Sequence, residues 1–384
     1  MKLAIVGAGL GGLTAGIALR NAGFVVDIFE AAPALGEVGA GLTLSRGSQA
    51  VFRELGIQDR VAAHACRSST LPFMHYRSGA VLAGAYDNSD GAPDDGTADV
   101  GRQIHRADLH RVLVEAFADR GPEVKTGHQL ISVNQDSAGV TASFANGELA
   151  HADILIGADG VRSVIREAVI SSDKPRFTGQ LAYRFLVPAA RAAPFMGSGR
   201  AGVYIGPKRT FNRYTLRGGA VVNCVGIVAS EIWADEGWSN PASREEMQQA
   251  FAGWHKDVLG LIGQADGAIK WGLFDRAPLP GWTRDRITLL GDAAHAMLPF
   301  LGMGAAMAIE DGMILARAFQ AESDPLDALA RYEAARLSRT ALLHANSVEQ
   351  GELTQARDPD NYDHGAAPAA DPAILGYDPV IAPI

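Results

Sequence analysis

Three short clusters in this chain join glycine to a charged side chain at the end of an apolar run. The first is Gly7, Gly9 and Gly12, followed by Glu30; the second is Asp159, Gly160 and Arg162; the third is Gly291, Asp292 and His295. Glycine at such spacing brings backbone N–H groups against a phosphate, and a carboxylate accepts from sugar or polyol hydroxyls. This is the chemistry of gripping a dinucleotide. Gly7 turns the chain sharply, Gly9 admits a pyrophosphate to the backbone, and Gly12 lets a helix pack close to a strand. Glu30 is placed to accept from both hydroxyls of an adenosine ribose. Asp159 reads two ways, as a partner of the turn amides in a ligand site or as a plain helix cap, and Arg162 as a phosphate partner. Asp292 suits a polyol chain, and the helix that follows Gly302 and Gly304 offers its positive end to negative charge on a ring. His295 reads as a packed or capping residue, and Met297, Met303, Met307 and Met313 as core and pocket lining.

These residues need elements to hold them. Residues 2–6 read as a strand, 13–22 as a helix and 24–30 as a second strand ending in Glu30. Helices are expected over 47–64 and 106–120, strands near 123–126, 129–135, 139–145 and 149–156, and a hairpin turn at Asn146 and Gly147. Residues 86–101 read as a polar loop. After about Pro175 the pattern changes to successive strands at 180–188, 201–206, 210–217 and 220–229, then a helix near 242–263 and a strand near 268–274. Buried-strand character returns at 286–291, followed by helices at 303–320 and 324–350. The expected division is a discontinuous nucleotide-binding domain (1–70, 98–175 and 276–350), a second domain (71–97 and 176–275) and a tail (351–384) that runs as coil across the surface.

Bulk properties narrow the class. A chain of 384 residues suggests two or three domains, and 47% hydrophobic with 20% charged residues is ordinary for a globular enzyme. The net charge of -9 argues against a nucleic-acid or anionic-membrane partner. Cys66 and Cys224 match no metal spacing and fit a reducing compartment, and the ten histidines form no ligand cluster, so no metal is expected. No apolar run reaches the ~18 residues of a membrane helix, and the N-terminus lacks a signal-peptide cleavage pattern, so the expected location is the cytoplasm.

The three clusters, in this order and at these separations, resemble those of the single-component flavin-dependent aromatic hydroxylases, the 4-hydroxybenzoate hydroxylase superfamily. Length and pattern are most similar to the branch of salicylate hydroxylase, 3-hydroxybenzoate 6-hydroxylase and 6-hydroxynicotinate 3-monooxygenase. The resemblance covers nearly the whole chain. It implies an α/β fold: a Rossmann-like FAD-binding domain, an inserted antiparallel-sheet substrate domain (α+β) and a C-terminal helix. It implies FAD as cofactor and NADH or NADPH as a transient co-substrate, which fits the absence of a second glycine fingerprint. The implied reaction is hydroxylation of an aromatic or heteroaromatic hydroxy acid by dioxygen through a flavin C4a-hydroperoxide, with loss of carbon dioxide where the attacked carbon bears a carboxylate.

By position, the resemblance assigns Gly7, Gly9, Gly12 and Glu30 to the ADP half of FAD, and Leu130 to the adenine region. Arg106 falls to the ribityl–pyrophosphate region, Asp292 to the ribityl hydroxyls, Ala305 to a backbone amide near the flavin, and Asp159 with Arg162 to a motif shared between FAD and NAD(P)H. Tyr214 aligns with a tyrosine at the substrate ring. The positions where the family places a histidine base hold Thr43 and Thr210. Phe300 follows Pro299 where a polar group is usual, and Met303 replaces a glutamine. Tyr183, Arg184 and Arg46 are further candidates for holding an anion. Two other classes compete with this reading. One is a flavin monooxygenase of Baeyer–Villiger, epoxidising or halogenating chemistry, though the tryptophans do not form a halogenase motif. The other is a plain NAD-dependent dehydrogenase or a nucleotide-binding regulator.

Overall fold

The computed structural model describes residues 1–36, 41–67, 71–86, 102–197, 199–231, 240–355, 359, 374 and 376–384. Most of the polar loop expected at 86–101 lies outside these residues.

Four strands run parallel in one sheet, in the spatial order Val25–Phe29, Lys2–Val6, Ile154–Gly157 and Ile287–Leu289, and Thr283–Arg284 adds an antiparallel edge. Their burial is nearly continuous, as expected for strands covered on both faces. Helix Leu10–Asn21 covers this sheet, and helix Gly304–Ala321 packs on that helix. The two helices touch closely: a Cβ on Gly312 would stand 2.7 Å from the amide nitrogen of Ala15. Helix Arg106–Ala118 supports the same layer through Leu109, Val112, Leu113 and Phe117.

An eight-stranded sheet makes the second layer. Its order is Asn240–Ala242, Ala268–Asp275, Arg176–Pro188, Val221–Ala229, Arg209–Leu216, Ala201–Gly206, Leu71–His75 and Val81–Tyr86. All pairings are antiparallel except that of Ala201–Gly206 with Leu71–His75. Helices Arg244–Ala250 and Lys256–Gly263 cover one face, over Tyr183, Phe185, Phe211 and Cys224. The other face looks toward the parallel layer. A small sheet of Gly41–Leu44, Arg102–His105 and Ala65–Arg67 lies at the seam.

Glycine breaks two of the expected helices. The segment 47–64 is two helices, Arg46–Glu54 and Gln58–Ala62, parted at Gly56 (φ +70), and 242–263 is parted near Gly253 (φ +78). The strand expected at 149–156 is also two strands. Leu149–Ala152 closes the Asn146–Gly147 hairpin, while Ile154–Gly157 enters the parallel sheet. Helix Pro325–Thr354 runs past its expected end. The final residues dock onto the helices: Arg317 donates to Pro379 O and Ala382 O, and Arg331 to Ile384 O. Cys66 and Cys224 are free thiols. Among the described residues, no helix is long and apolar enough to cross a membrane, and no side-chain cluster could hold a metal ion.

Candidate active site

The three glycine-and-charge clusters follow three adjacent parallel strands at their C-terminal ends. Gly7 follows Val6, Ala158 and Asp159 follow Gly157, and Gly291 follows the strand ending at Leu289. Strand register alone therefore brings them together, at the edge where open α/β sheets bind ligands. The fit is close. A Cβ on Gly7 (φ +108) would fall 2.2 Å from Ala158 O, and one on Gly12 would fall 2.1 Å from Gly7 O. Around Gly9, the N-cap of helix Leu10–Asn21, an added Cβ meets nothing within 4 Å. Two glycines thus serve packing, and the third borders open space at a helix N-terminus.

Side chains clamp this arrangement. Glu30 Oε2 accepts from Ala8 N–H and Oε1 from Ala32 N–H, each at 2.9 Å. His110, buried, donates from Nε2 to Ala8 O. The stretch 125–128 is stitched to Glu30 by backbone bonds, which seats buried Leu130 beside the end of the second strand. Arg166 is fully buried and joins the other two clusters: it donates to the carbonyls of Ala293 and Ala294 and forms a two-point pair with Asp173. Burial opposes ionisation of Asp173, but Arg166 and Ser171 overcome it and hold the pKa at about 2.

The two oxygens of Asp159 are not equivalent. Oδ2 accepts from Val164 N–H and Ile165 N–H, a capping role, while Oδ1 is buried with no partner. Burial raises its pKa. Arg162, Arg106 and Asp292 are exposed at the same edge, and Ala305 sits in the first turn of helix Gly304–Ala321, where backbone N–H groups have no intrahelical acceptor.

His295 belongs to a buried ion network, in line with a packing role. Its Nε2 lies 2.6 Å from Asp311 Oδ2, which also accepts from Gly291 N–H. Arg336 donates to Asp311 Oδ1, and Arg339 pairs with Glu310. Met303, Met307 and Met313 are core residues, and Met297 packs at the margin.

Opposite this edge stands the open face of the eight-stranded sheet. Alternation puts Thr210, Asn212 and Tyr214 on that face, with Ala182, Arg184 and Leu186 two strands away. Tyr214 is buried and reaches across the seam to Gly41, and Gly41 N–H donates to Asn223 Oδ1. Burial pushes the Tyr214 pKa up to about 12 against the pull of Arg184, so its hydroxyl stays protonated at neutral pH. Phe300 packs in a cluster with Ala182, Ile227 and Leu273, Pro299 beside it is exposed, and Thr43 shares a strand face with Gly41.

One expected pocket residue is misplaced. Tyr183 lies on the opposite face of the sheet, under the covering helices, where its hydroxyl donates to Glu246. It cannot face the site, because strand neighbours point to opposite sides.

The profile of the FAD binding domain family matches residues 1–347. The 3-amino-4-hydroxybenzoate 2-monooxygenase PtnB3 of Streptomyces platensis is 35% identical over 356 residues, covering 91% of this chain and 87% of that one. The 6-hydroxynicotinate 3-monooxygenase of Pseudomonas fluorescens is 34% identical over 382 residues, covering 97% and 98%. The crystal structure of Klebsiella pneumoniae HpxO, complexed with FAD and uric acid, matches with a TM-score of 0.83 and 25% identity over 93% of this chain and 90% of that one.

This chain belongs to the FAD-binding family of flavin-dependent aromatic monooxygenases. FAD is its cofactor, and the residues present fit that group. The space at Gly9 can admit a pyrophosphate, and the unpaired Asp159 Oδ1 is a buried acceptor lacking a donor.

Two further buried polar groups lie on this flavoprotein's inner sheet face and seam. Asn212 Oδ1 on the inner sheet face is buried without a partner, as is His105 Nδ1, on a residue paired with Gly41 within the small sheet. Burial, reinforced by Arg217, lowers the His105 pKa, so the imidazole is neutral. His105 was visible only as the neighbour of Arg106. Asn212 carries a signal in its alternation with Tyr214, once the strand is known to face inward.

Proposed function

We propose that this monooxygenase hydroxylates an aromatic or heteroaromatic hydroxy acid, with NADH or NADPH and dioxygen as co-substrates. Gly7, Gly9, Gly12, Glu30 and Leu130 hold the ADP half of FAD. Arg106, Asp159 and Arg162 meet its phosphates and the approaching nicotinamide cofactor, Asp292 meets the ribityl chain, and the Ala305 amide supports the ring. When bound, FAD would supply the redox chemistry, accepting hydride from the nicotinamide and activating dioxygen so that one oxygen atom enters the substrate and the other leaves as water.

The protein's own part is to place the ring and keep it dry. Tyr214, Thr210 and Phe300 present the substrate to that edge, with Thr43 and Pro299 at the margin. Tyr214 stays neutral, so its hydroxyl is able to donate to a ring oxygen or to accept from a ring hydroxyl. The apolar floor of Val225, Ile227 and Ala182 excludes water that would divert reduced oxygen to peroxide. The single observation that carries the reading is the buried Tyr214, which faces the nucleotide edge from the inserted sheet and packs on Gly41. The division of the chain into a FAD-holding part and a substrate-holding part follows the same seam. The free thiols, Cys66 and Cys224, suit a cytoplasmic enzyme.

The test is a screen of hydroxybenzoates and hydroxypyridine carboxylates for stimulated NADH and NADPH oxidation, with peroxide measured alongside. An acid that speeds oxidation while peroxide stays low supports the reading. Stimulation only by carbonyl or alkene compounds overturns it in favour of the competing flavin chemistries.

A further inference from the structure

Arg184 and Asn212 stand on one rung of the eight-stranded sheet. Asn212 pairs with Val225, and Val225 pairs with Arg184 in the next strand. Directly paired residues present their side chains on the same face, so two polar groups flank Val225 on the inner side. At ordinary strand spacing their backbones are about 9–10 Å apart, a gap that suits a six-membered ring with a polar group at each end.

Each pole has one buried atom that the protein leaves without a partner. Arg184 Nε and Asn212 Oδ1 are both buried without a hydrogen-bond partner. Orphaned buried polar atoms are costly, and two on one rung call for an occupant. The guanidinium is held by stacking, with its central carbon 4.8 Å from the Trp271 ring centroid. Stacking fixes its plane and leaves its edge N–H groups available. Trp271 itself sits on the adjacent rung, paired with Ala182. Burial presses the Arg184 pKa down to about 10, with Tyr214 and Arg106 as the charges acting on it, so the group remains a cation at neutral pH.

We infer that Arg184 and Asn212 are the two poles of the substrate seat: Arg184 takes a ring carboxylate, Asn212 Oδ1 accepts from a hydroxyl or amino hydrogen across the ring, and Val225 is the floor. The inference rests on the proposed reading of the chain as a hydroxy-acid hydroxylase and narrows its substrate class. The acid must carry an O–H or N–H donor on the side of the ring away from its carboxylate. Tyr214, one rung further along, is then left for the position that reacts.

Calorimetric titration of the FAD-loaded protein with 4-hydroxybenzoate, 4-hydroxybenzamide and benzoate tests this without turnover. The native protein should bind 4-hydroxybenzoate tightest of the three. Arg184→Met should weaken both acids by about 10- to 100-fold and leave the amide unchanged, and Arg184→Lys should recover part of the loss. Asn212→Ala should weaken 4-hydroxybenzoate by about 3- to 10-fold and spare benzoate. Flavin content and melting temperature show which variants are folded; if Arg184→Met is not, Arg184→Lys and Asn212→Ala still decide. Equal binding of all three probes by the native protein, binding of none, or equal losses for acid and amide in Arg184→Met overturns the seat. The two readings fail separately. Acid turnover with affinity untouched in Arg184→Met sinks the seat alone, while the expected binding pattern without acid-stimulated NAD(P)H oxidation sinks the proposed function alone.

Discussion

Gly41 and Tyr214 share one volume at the seam between the sheets. A Cβ on Gly41 would lie 2.5 Å from Tyr214 Cε2 and 2.6 Å from its hydroxyl oxygen. The tyrosine can occupy this position only because its neighbour has no side chain. Gly41→Ala should therefore displace the ring and lower kcat by about 10-fold or more, with flavin content unchanged. Steady-state kinetics with absorbance-based flavin content checks this.

The Tyr214 hydroxyl should matter beyond its ring. Tyr214→Phe keeps the packing and removes one donor and acceptor, so kcat should fall by about 10²-fold while peroxide per NAD(P)H rises. Because the Tyr214 pKa is pushed up to about 12, the native pH–rate profile should show no tyrosine ionisation below about pH 11. Both are read from initial rates with peroxide quantified.

Gly9 and Gly12 should respond differently to the same change. Gly12→Ala puts a methyl 2.1 Å from Gly7 O and should cost several kcal/mol of stability, on the order of the severe overpacking cases. Gly9→Ala meets no protein atom within 4 Å, so the apoprotein should melt as the native one does. Its FAD affinity should drop by about 10-fold or more, because the methyl fills the proposed pyrophosphate path. Melting curves of apoprotein and FAD titrations separate the two effects.

Acid should loosen the fold through Asp311. Burial works to raise its pKa, yet His295 and Arg336 overcome this and hold it at about 2. A folded-state pKa below the ordinary carboxylate value stabilises the fold above that value, and the gain disappears as pH falls from about 4 to about 2. Denaturant midpoints should drop across that window. Asp311→Asn should cost about 3 kcal/mol at pH 7, because His295 and Arg336 lose their buried counter-charge. The Gly291 turn should loosen with it.

The nucleotide edge was legible in the sequence because its determinants are local. A strand, a glycine turn and an acid lie within a few residues of one another at the second and third clusters, Glu30 closes the first at the end of the next strand, and parallel register then brings the clusters together. Helix ends were less legible: Gly56 and Gly253 sit inside apolar periodicity that continues past them, and only their left-handed φ values reveal the breaks. The substrate face was legible only in part. Strand identity around 180–188 was clear, but which of Tyr183 and Arg184 turns inward depends on helices Arg244–Ala250 and Lys256–Gly263 covering one side. Asp159 shows a third kind of limit. Capping and ligand binding were rival readings in the sequence; Oδ2 makes the capping bonds, while Oδ1 has no protein partner.

FAD held at the triple-strand edge should deliver oxygen to a ring seated against Tyr214. The most direct measurement is turnover under ¹⁸O₂ with NAD(P)H and the best acid from the substrate screen, followed by mass spectrometry of the product. One ¹⁸O atom in a new ring hydroxyl, formed by native protein and largely lost in Tyr214→Phe, is the expected result. A product without label, with all ¹⁸O recovered as peroxide, would contradict it.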